Sequence, residues 1–337
     1  MAEPNRPLVA VSDLSVAFTA SDGRVTAVDR LSLDIHPGRT LAVVGESGSG
    51  KSTTALAIGG LLPPTAAVTG EIRVGETDVM RADAGQLRRM HGLEVGFVFQ
   101  DPTTALSPYR RIGDQLVDTV RWHDRSVSRR AARRQAVELL DRVGIPDARG
   151  RIDDFPHQFS GGMRQRAVIA LALINKPRLL IADEPTAALD VTVGRQILDL
   201  MLILQADLHM AILIITHDLG VVARVADEVL VLYAGRECER GALVDVFDRP
   251  AHPYTAGLRA AVPRLDDPIG ALLPAIPGSA VSAADAGPGC AFADRCRTRP
   301  SVGDRCLTEM PVPTRRPGTP VHRASCHHPG DLSEGPR

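Results

Sequence analysis

Lysine is almost missing from this chain: of 39 basic residues, only Lys51 and Lys176 are lysines. That bias is set by the genome more than by the fold, so a lysine that is kept asks for a reason. A surplus of positive charge is missing too. With 39 basic against 40 acidic residues the formal net charge is −1, which removes the usual ground for a nucleic-acid binder and leaves room only for a local basic stripe. No long apolar run is present. The longest, such as Ala167 to Ile174, reach less than half of the roughly 18 residues needed to span a membrane. The N-terminal MAEPNRPLVAV has no basic segment followed by an apolar stretch and a small-residue cleavage site, so a cytosolic chain that meets membranes only through partners is expected. What is there is ample: 337 residues, 44% hydrophobic, exclude disorder or a collagen-like fibre and allow a large core or two domains.

Three stretches differ in texture. Up to about residue 100, short β-rich runs (VAVSDLSVAF, TLAVVGE) alternate with glycine turns. From 101 to about 175 the sequence is mostly helical. There Ala136, Leu139, Leu140 and Val143 keep the spacing of a buried helix face, with Ser128 placed to cap the start and Gly144 just past the end. The arginines at 129, 130, 133 and 134 read as that helix's solvated side. Between Arg178 and Tyr233 three apolar strands are predicted, LLIA, AILII and EVLVLY, separated by helical stretches around Val193 to Gln205 and after Asp218. Such alternation builds a mostly parallel sheet with helical crossovers. Beyond residue 250 the texture changes again, because 14 of the 25 prolines lie in the last 88 residues. Neither a long helix nor a central strand tolerates that, so a loop-rich appendage held by something other than a large core is expected.

The strongest chemical signal is Gly45-Glu46-Ser47-Gly48-Ser49-Gly50-Lys51-Ser52, which follows the apolar run Leu41 to Val44 and precedes helix-compatible Thr53-Thr54-Ala55-Leu56-Ala57. Strand, glycine loop and helix is the context a P-loop requires. The glycines let backbone N–H groups turn toward phosphate oxygens, the helix start favours negative charge, and Ser52 can ligate Mg2+. Lys51 adds a compact charge that a planar guanidinium does not replace in so tight a loop. Further on, the apolar run Leu179 to Ala182 ends in Asp183 and Glu184, at the sheet edge where open parallel sheets place their chemistry. Asp183 is suited to hold Mg2+ and Glu184 to orient or deprotonate water, the two tasks of phosphoryl transfer to water. A third element, Phe159-Ser160-Gly161-Gly162-Met163-Arg164-Gln165-Arg166, opens a helix with another anion-receptive start. One nucleotide needs one phosphate cradle, so a second implies a second nucleotide or a second subunit.

Taken together these residues resemble the nucleotide-binding subunits of ABC transporters. Walker A at 45–52, FSGGMRQR at 159–166 and LLIADEPTAALD at 179–190 occur in that family's order and spacing over about residues 8–250, with Gln100 matching its Q-loop and His217 in IITHD its switch histidine. The resemblance implies an α/β fold: a P-loop NTPase ABC ATPase core over 1–250 with a mostly parallel sheet, an N-terminal antiparallel β subdomain and a helical subdomain at about 101–175, plus a loop-rich cysteine-containing extension over 251–337. It implies an ATPase that binds ATP and Mg2+ through Gly45, Ser47, Gly48, Gly50, Lys51, Ser52, Thr53, Gln100 and Asp183. Glu184 is then the catalytic base, Gln100 and His217 sense the γ-phosphate, and Phe18 stacks on adenine unless it is simply core. Two subunits would meet head to tail, with Ser160, Gly161 and Gly162 closing over the partner's ATP and Asp190 at the seam. The family more often has SGGQ where this chain has Met163.

FQDPTTALSP after Gln100, PHQFSGGMRQR, and RPAHPYTAGLRAAVPRL at 249–265 resemble the ATPases of oligopeptide and dipeptide importers. Such importers pair the ATPase with a second ATPase subunit, identical or homologous, two transmembrane permeases and an extracytoplasmic substrate-binding protein. The same branch includes importers of nickel and other small solutes. Four of the five cysteines, Cys290, Cys296, Cys306 and Cys326, lie in the last 48 residues with spacing C-x5-C-x9-C-x19-C, which lacks the C-x2-C knuckle of structural zinc sites. A [4Fe–4S] cluster, Zn2+ and free thiols are the open readings, with His322, His327 and His328 as substitutes or bystanders and Cys238 as an ordinary buried residue. A DNA-repair, chromosome or regulatory ABC ATPase is the remaining class, but coiled-coil heptads, zinc knuckles inserted in the core, a basic surface and a second cassette are not seen.

Overall fold

The computed structural model describes residues 6–20, 23–101, 105–263, 274–316, 319, 321–328 and 332; Pro102, Thr103 and Thr104 of the FQDPTTALSP segment, and Arg264 and Leu265 of the later motif, lie outside them. Two sheets organise the chain. The first is antiparallel, built from β1 (Val9–Ala20), β2 (Gly23–Ile35), β4 (Ala66–Val74) and β5 (Thr77–Asp78) in the order β2-β1-β4-β5. The second begins with β3 (Thr40–Val44) and continues with β6 (Val95–Val98), β7 (Leu179–Asp183), β8 (Ala211–Ile215), β9 (Glu228–Tyr233), β10 (Arg236–Ala242), β11 (Thr314–Arg315) and β12 (Arg323–Ala324), in the order β11-β12-β10-β9-β3-β8-β7-β6. From β9 to β6 every pairing is parallel.

The parallel strands read as unbroken apolar runs because both of their faces are covered. Successive side chains point to opposite faces, and the two sets pack into different cores. Ala42, Val44, Leu180, Ala182, Ile212 and Ile214 face the helices, while Leu41, Val43, Leu179, Ile181, Leu213 and Ile215 face the antiparallel sheet and helix 51–58. The strands at 179–183, 211–215 and 228–233 fall where the apolar runs predict them. The helix at Arg129–Arg142 also forms as expected: the Ser128 hydroxyl accepts from Ala131 N–H, and Ala136 and Leu140 are buried on the inner face. Helices 112–123, 129–142, 148–151 and 161–173 make up the helical region.

The extension differs from the expectation. It is held by the large core and by backbone pairing, since β12 runs antiparallel beside β10 and carries β11 with it. Proline bars a strand from a sheet centre, and these two-residue strands form at its edge. Tyr254 and Phe292 lie in the same buried cluster as the parallel strands, ring against ring with Tyr233 at 4.8 and 5.3 Å. Glu239 of β10 is fully buried and accepts hydrogen bonds from Ala251 N–H (2.7 Å) and His252 N–H (2.9 Å), with His322 Nε2 at 2.7 Å. Arg323 forks onto Glu237 (2.6 and 2.8 Å) and reaches the Ser32 carbonyl (3.0 Å), tying the extension to both sheets. No helix among the described residues is long and apolar enough to cross a membrane.

Candidate functional site

The chain leaves β3 at Val44 and turns through 45–50 into helix 51–58. Gly45, Gly48 and Gly50 all have positive φ (155, 78 and 95°), and a Cβ at Gly45 or Gly50 would strike the carbonyl oxygen of Leu232 or Ala27. Only glycine fits those two places. The loop is braced from the β9–β10 turn, where Gly235 N–H donates to the Ser49 carbonyl (3.1 Å). Lys51 Nζ donates to the carbonyls of Gly45 and Glu46, each at 2.8 Å. Burial pulls its pKa down, against the raising effect of Glu184, Asp183 and Glu46. Ser49 Oγ is buried with no hydrogen-bond partner among the described residues, the kind of orphan that a bound anion satisfies. Ser47 and Ser52 are exposed, Thr53 is half-buried, and nothing crowds Gly48. The loop therefore fits a phosphate.

Asp183 ends β7 and shares a hydrogen bond with the Ser52 hydroxyl; burial raises its pKa in spite of that bond. These two side chains fit a Mg2+ ion, which takes few protein ligands and keeps several waters. Glu184, one residue on, has φ 46°, a left-handed conformation that a non-glycine residue holds at a cost of about 1–3 kcal/mol. Its N–H donates to the Ile215 carbonyl (2.8 Å), which fixes the turn. Its carboxylate then stands between two partners: Gln100 Nε2 donates to Oε2 (3.1 Å), and His217 Nδ1 lies 2.9 Å from Oε1. Gln100 closely follows β6 and His217 follows β8, so the C-terminal ends of four parallel strands deliver Lys51, Asp183, Glu184, Gln100 and His217 to one edge.

Ser160, Gly161 and Gly162 stand elsewhere. They start helix 161–173, which packs on β6 and on helices 112–123, 129–142 and 191–208. The Ser160 hydroxyl accepts from Met163 N–H, while Ser160 and Gly161 are exposed and a Cβ on Gly161 would meet nothing. Gly162 lacks a Cβ for a reason: Val193 occupies its place. Exposed Asp190 caps helix 191–208 by accepting from Val193 N–H (3.0 Å). Among the described residues no hydrogen bond joins Ser160, Gly161 or Gly162 to the P-loop. Phe18 on β1 is half-buried against the antiparallel-sheet core, where packing accounts for part of its surface.

Two residues that were given no role from the sequence also reach the P-loop. Tyr254 Oη accepts from Glu46 N–H (2.8 Å), and Arg295, from the extension, forks onto the Glu46 carboxylate (2.7 and 3.1 Å). Glu46 occupies a free position of the motif and Arg295 is one arginine among 37, so no local pattern marks either.

The other three tail thiols come near enough to Cys290 to raise its pKa, but burial is the larger cause, pushing Cys290 up to about 12 and Cys326 up to about 11. Cys290 N–H donates to the Cys306 carbonyl (2.8 Å). Among the described residues no three His, Cys, Asp or Glu side chains stand close enough to hold one metal ion. His322 is committed to Glu239, and His327 Nε2 to the Glu309 carbonyl (2.9 Å), so neither replaces a thiol. Cys238 is buried, as expected of a small core residue.

Known proteins resemble this chain over most of its length. The ABC transporter family model matches residues 28–187, and the model of the oligopeptide/dipeptide transporter C-terminal region matches 238–302. The chain is 49% identical over 300 residues to the dipeptide transport ATP-binding protein DppD of Bacillus subtilis, across 88% of this chain and 89% of that one. It is 45% identical over 316 residues to the oligopeptide transport ATP-binding protein OppD of Salmonella typhimurium, across 94% and 93%. The OppD of Mycobacterium tuberculosis is 48% identical over 95% of this chain, which spans about half (52%) of that longer relative. Among solved structures, the dimeric ATP-binding cassette MJ0796 in a post-hydrolysis state, bound to ADP and Pi, superposes with a TM-score of 0.62 at 29% identity, over 70% of this chain and 98% of that one. The chain thus belongs to the ABC transporter ATP-binding proteins, in their oligopeptide/dipeptide branch.

Proposed function

We propose that the chain is the ATP-binding and ATP-hydrolysing subunit of an ABC importer of di- or oligopeptides. It would sit at the cytoplasmic face of the membrane, held there by two permease subunits, and act with a second ATPase subunit and an extracytoplasmic substrate-binding protein. One observation carries the reading: Glu184 is fixed between Gln100 and His217 on the sheet edge that also presents Lys51 and the Ser52–Asp183 pair. Hydrolysis follows from those positions. The P-loop N–H groups and Lys51 hold the β- and γ-phosphates. Glu184 takes a proton from a water whose oxygen bonds to the γ-phosphorus while the bond to the β–γ bridging oxygen breaks, and ADP leaves. Mg2+, when bound by Ser52 and Asp183, neutralises charge on the phosphate oxygens. The partner's Ser-Gly-Gly helix start would complete the site, which suits exposed Ser160 and Gly161. Adenine stacking by Phe18 belongs to the same reading.

Uptake decides the cargo. A strain lacking this chain should lose peptide uptake and regain it on complementation, with the permeases co-purifying; restored nickel uptake with unaffected peptide uptake would replace peptide by nickel. ATP turnover with no permease partner would favour the non-transport class. The tail adds a narrower element, a [4Fe–4S] cluster on Cys290, Cys296, Cys306 and Cys326. Mutual proximity of the four thiols supports it, and a cluster accepts its ligands on separate irons, further apart than one zinc ion does. Anaerobic purification should give a brown protein containing iron; a colourless, iron-free, folded protein would remove the cluster.

A further inference from the structure

Glu46 is gripped at every polar group it owns. Its N–H donates to Tyr254 Oη, its carbonyl accepts from Lys51 Nζ, and its carboxylate takes both ends of the Arg295 guanidinium. Arg295 is itself fixed: Nε donates to the Pro277 carbonyl (2.8 Å), one terminal nitrogen also reaches Tyr233 Oη (3.1 Å), and the guanidinium lies 5.7 and 5.9 Å from the ring centres of Tyr233 and Phe292. Only 8% of Arg295 is exposed. A guanidinium so anchored is a rigid clamp, and it spans 249 residues of sequence to reach the phosphate loop.

The geometry points to Arg295 as a positioning residue for nucleotide binding. It acts in two ways. It neutralises a carboxylate inside the phosphate-binding motif, where a free negative charge would repel the triphosphate, and it holds still the peptide whose carbonyl aims Lys51. Both act on the bound nucleotide and neither touches the attacked phosphorus, so affinity should suffer while turnover at saturation is kept. This rests on the reading of the P-loop as the ATP site.

The test is titration of the purified full chain with the non-hydrolysable ATP analogue AMP-PNP and Mg2+, beside steady-state hydrolysis. Arg295→Met keeps the apolar body and removes the charge. It should weaken binding roughly tenfold, the size of one unit charge acting over about 10 Å at an effective dielectric of about 20, and raise KM for ATP with kcat little changed. In a Glu46→Gln background the same substitution should add almost nothing, because the charge it shields is gone. Arg295→Lys, which returns the charge without the fork, should recover part of the loss, and it serves as the readout if the methionine variant does not fold. Unchanged affinity in a folded Arg295→Met or Arg295→Lys protein, or an equal loss with and without Glu46→Gln, would overturn the inference. Lys51→Ala separates the two readings. If it still binds the analogue, the P-loop assignment itself fails; if it does not bind and the Arg295 variants are normal, only the clamp fails.

Discussion

At the P-loop edge each reactive group meets a named partner: Lys51 two carbonyls, Asp183 the Ser52 hydroxyl, Glu184 both Gln100 and His217. In the tail four thiols share a neighbourhood, yet burial raises the pKa of Cys290, Cys306 and Cys326, and among the described residues no three ligating side chains are assembled around a common point. The contrast separates two kinds of site. The first is preorganised by backbone, with glycines, a left-handed glutamate and strand ends placing groups before any ligand arrives. The second offers donors whose thiolate form must be created by whatever binds them. What the tail does possess in finished form is its attachment: Glu239 with His322, the β10–β12 pairing, and the Arg295 fork.

Breaking the better-ordered side gives the largest expected effect. Lys51→Ala should cost at least about 10³-fold in ATP hydrolysis and abolish nucleotide binding, measured by phosphate release and analogue titration. Ser160→Ala should cut hydrolysis by about 10²-fold while leaving nucleotide binding to the single chain unchanged, because among the described residues no hydrogen bond joins its helix start to this chain's own P-loop. An equal loss of single-chain binding would place Ser160 at the same site.

The tail side can be loosened with acid. His252 is fully buried and burial lowers its pKa from 6.5 to about 4; Tyr254 N–H donates to its Nδ1 (3.1 Å), which requires an unprotonated nitrogen there. Between pH 6.5 and 4 the unfolded chain binds a proton that the folded one refuses, so this contribution is complete above pH 6.5 and disappears as pH falls toward 4. The expected loss is roughly 3 kcal/mol, at about 1.4 kcal/mol per unit. Urea unfolding at pH 7 and pH 4.5 should show a smaller pH-dependent loss in His252→Asn than in the unaltered chain. Parallel curves would mean that His252 titrates normally. The smallest effect belongs to the surface: removing the exposed Arg142–Asp207 pair should shift stability by less than about 1 kcal/mol in the same assay.

Much of the cassette was legible because its signals are local. Strands 179–183, 211–215 and 228–233 are unbroken apolar runs, and Ser128 capping Arg129–Arg142 needs only neighbours in sequence. The same holds for the loop glycines, whose positive φ follows from the motif. Lysine scarcity had already singled out Lys51, whereas Lys176 turned out to lie in an exposed left-handed turn after helix 161–173. Hidden were the contacts between distant segments. Proline density argued against a central strand in the tail, and it could not reveal that two-residue strands would find an open sheet edge at β10. Nothing near Arg295 or Glu46 announces a partner 249 residues away.

Hydrolysis by a Glu184→Gln chain bears most directly on the account. The substitution keeps the hydrogen-bonding shape between Gln100 and His217 and removes the base. ATP binding should persist, turnover should fall by at least about 10³-fold, and the ATP-bound chains should be trapped as a dimer in size-exclusion chromatography. Turnover within a fewfold of the unaltered chain would contradict Glu184 as the group that activates water, and with it the reading of this sheet edge as the catalytic centre.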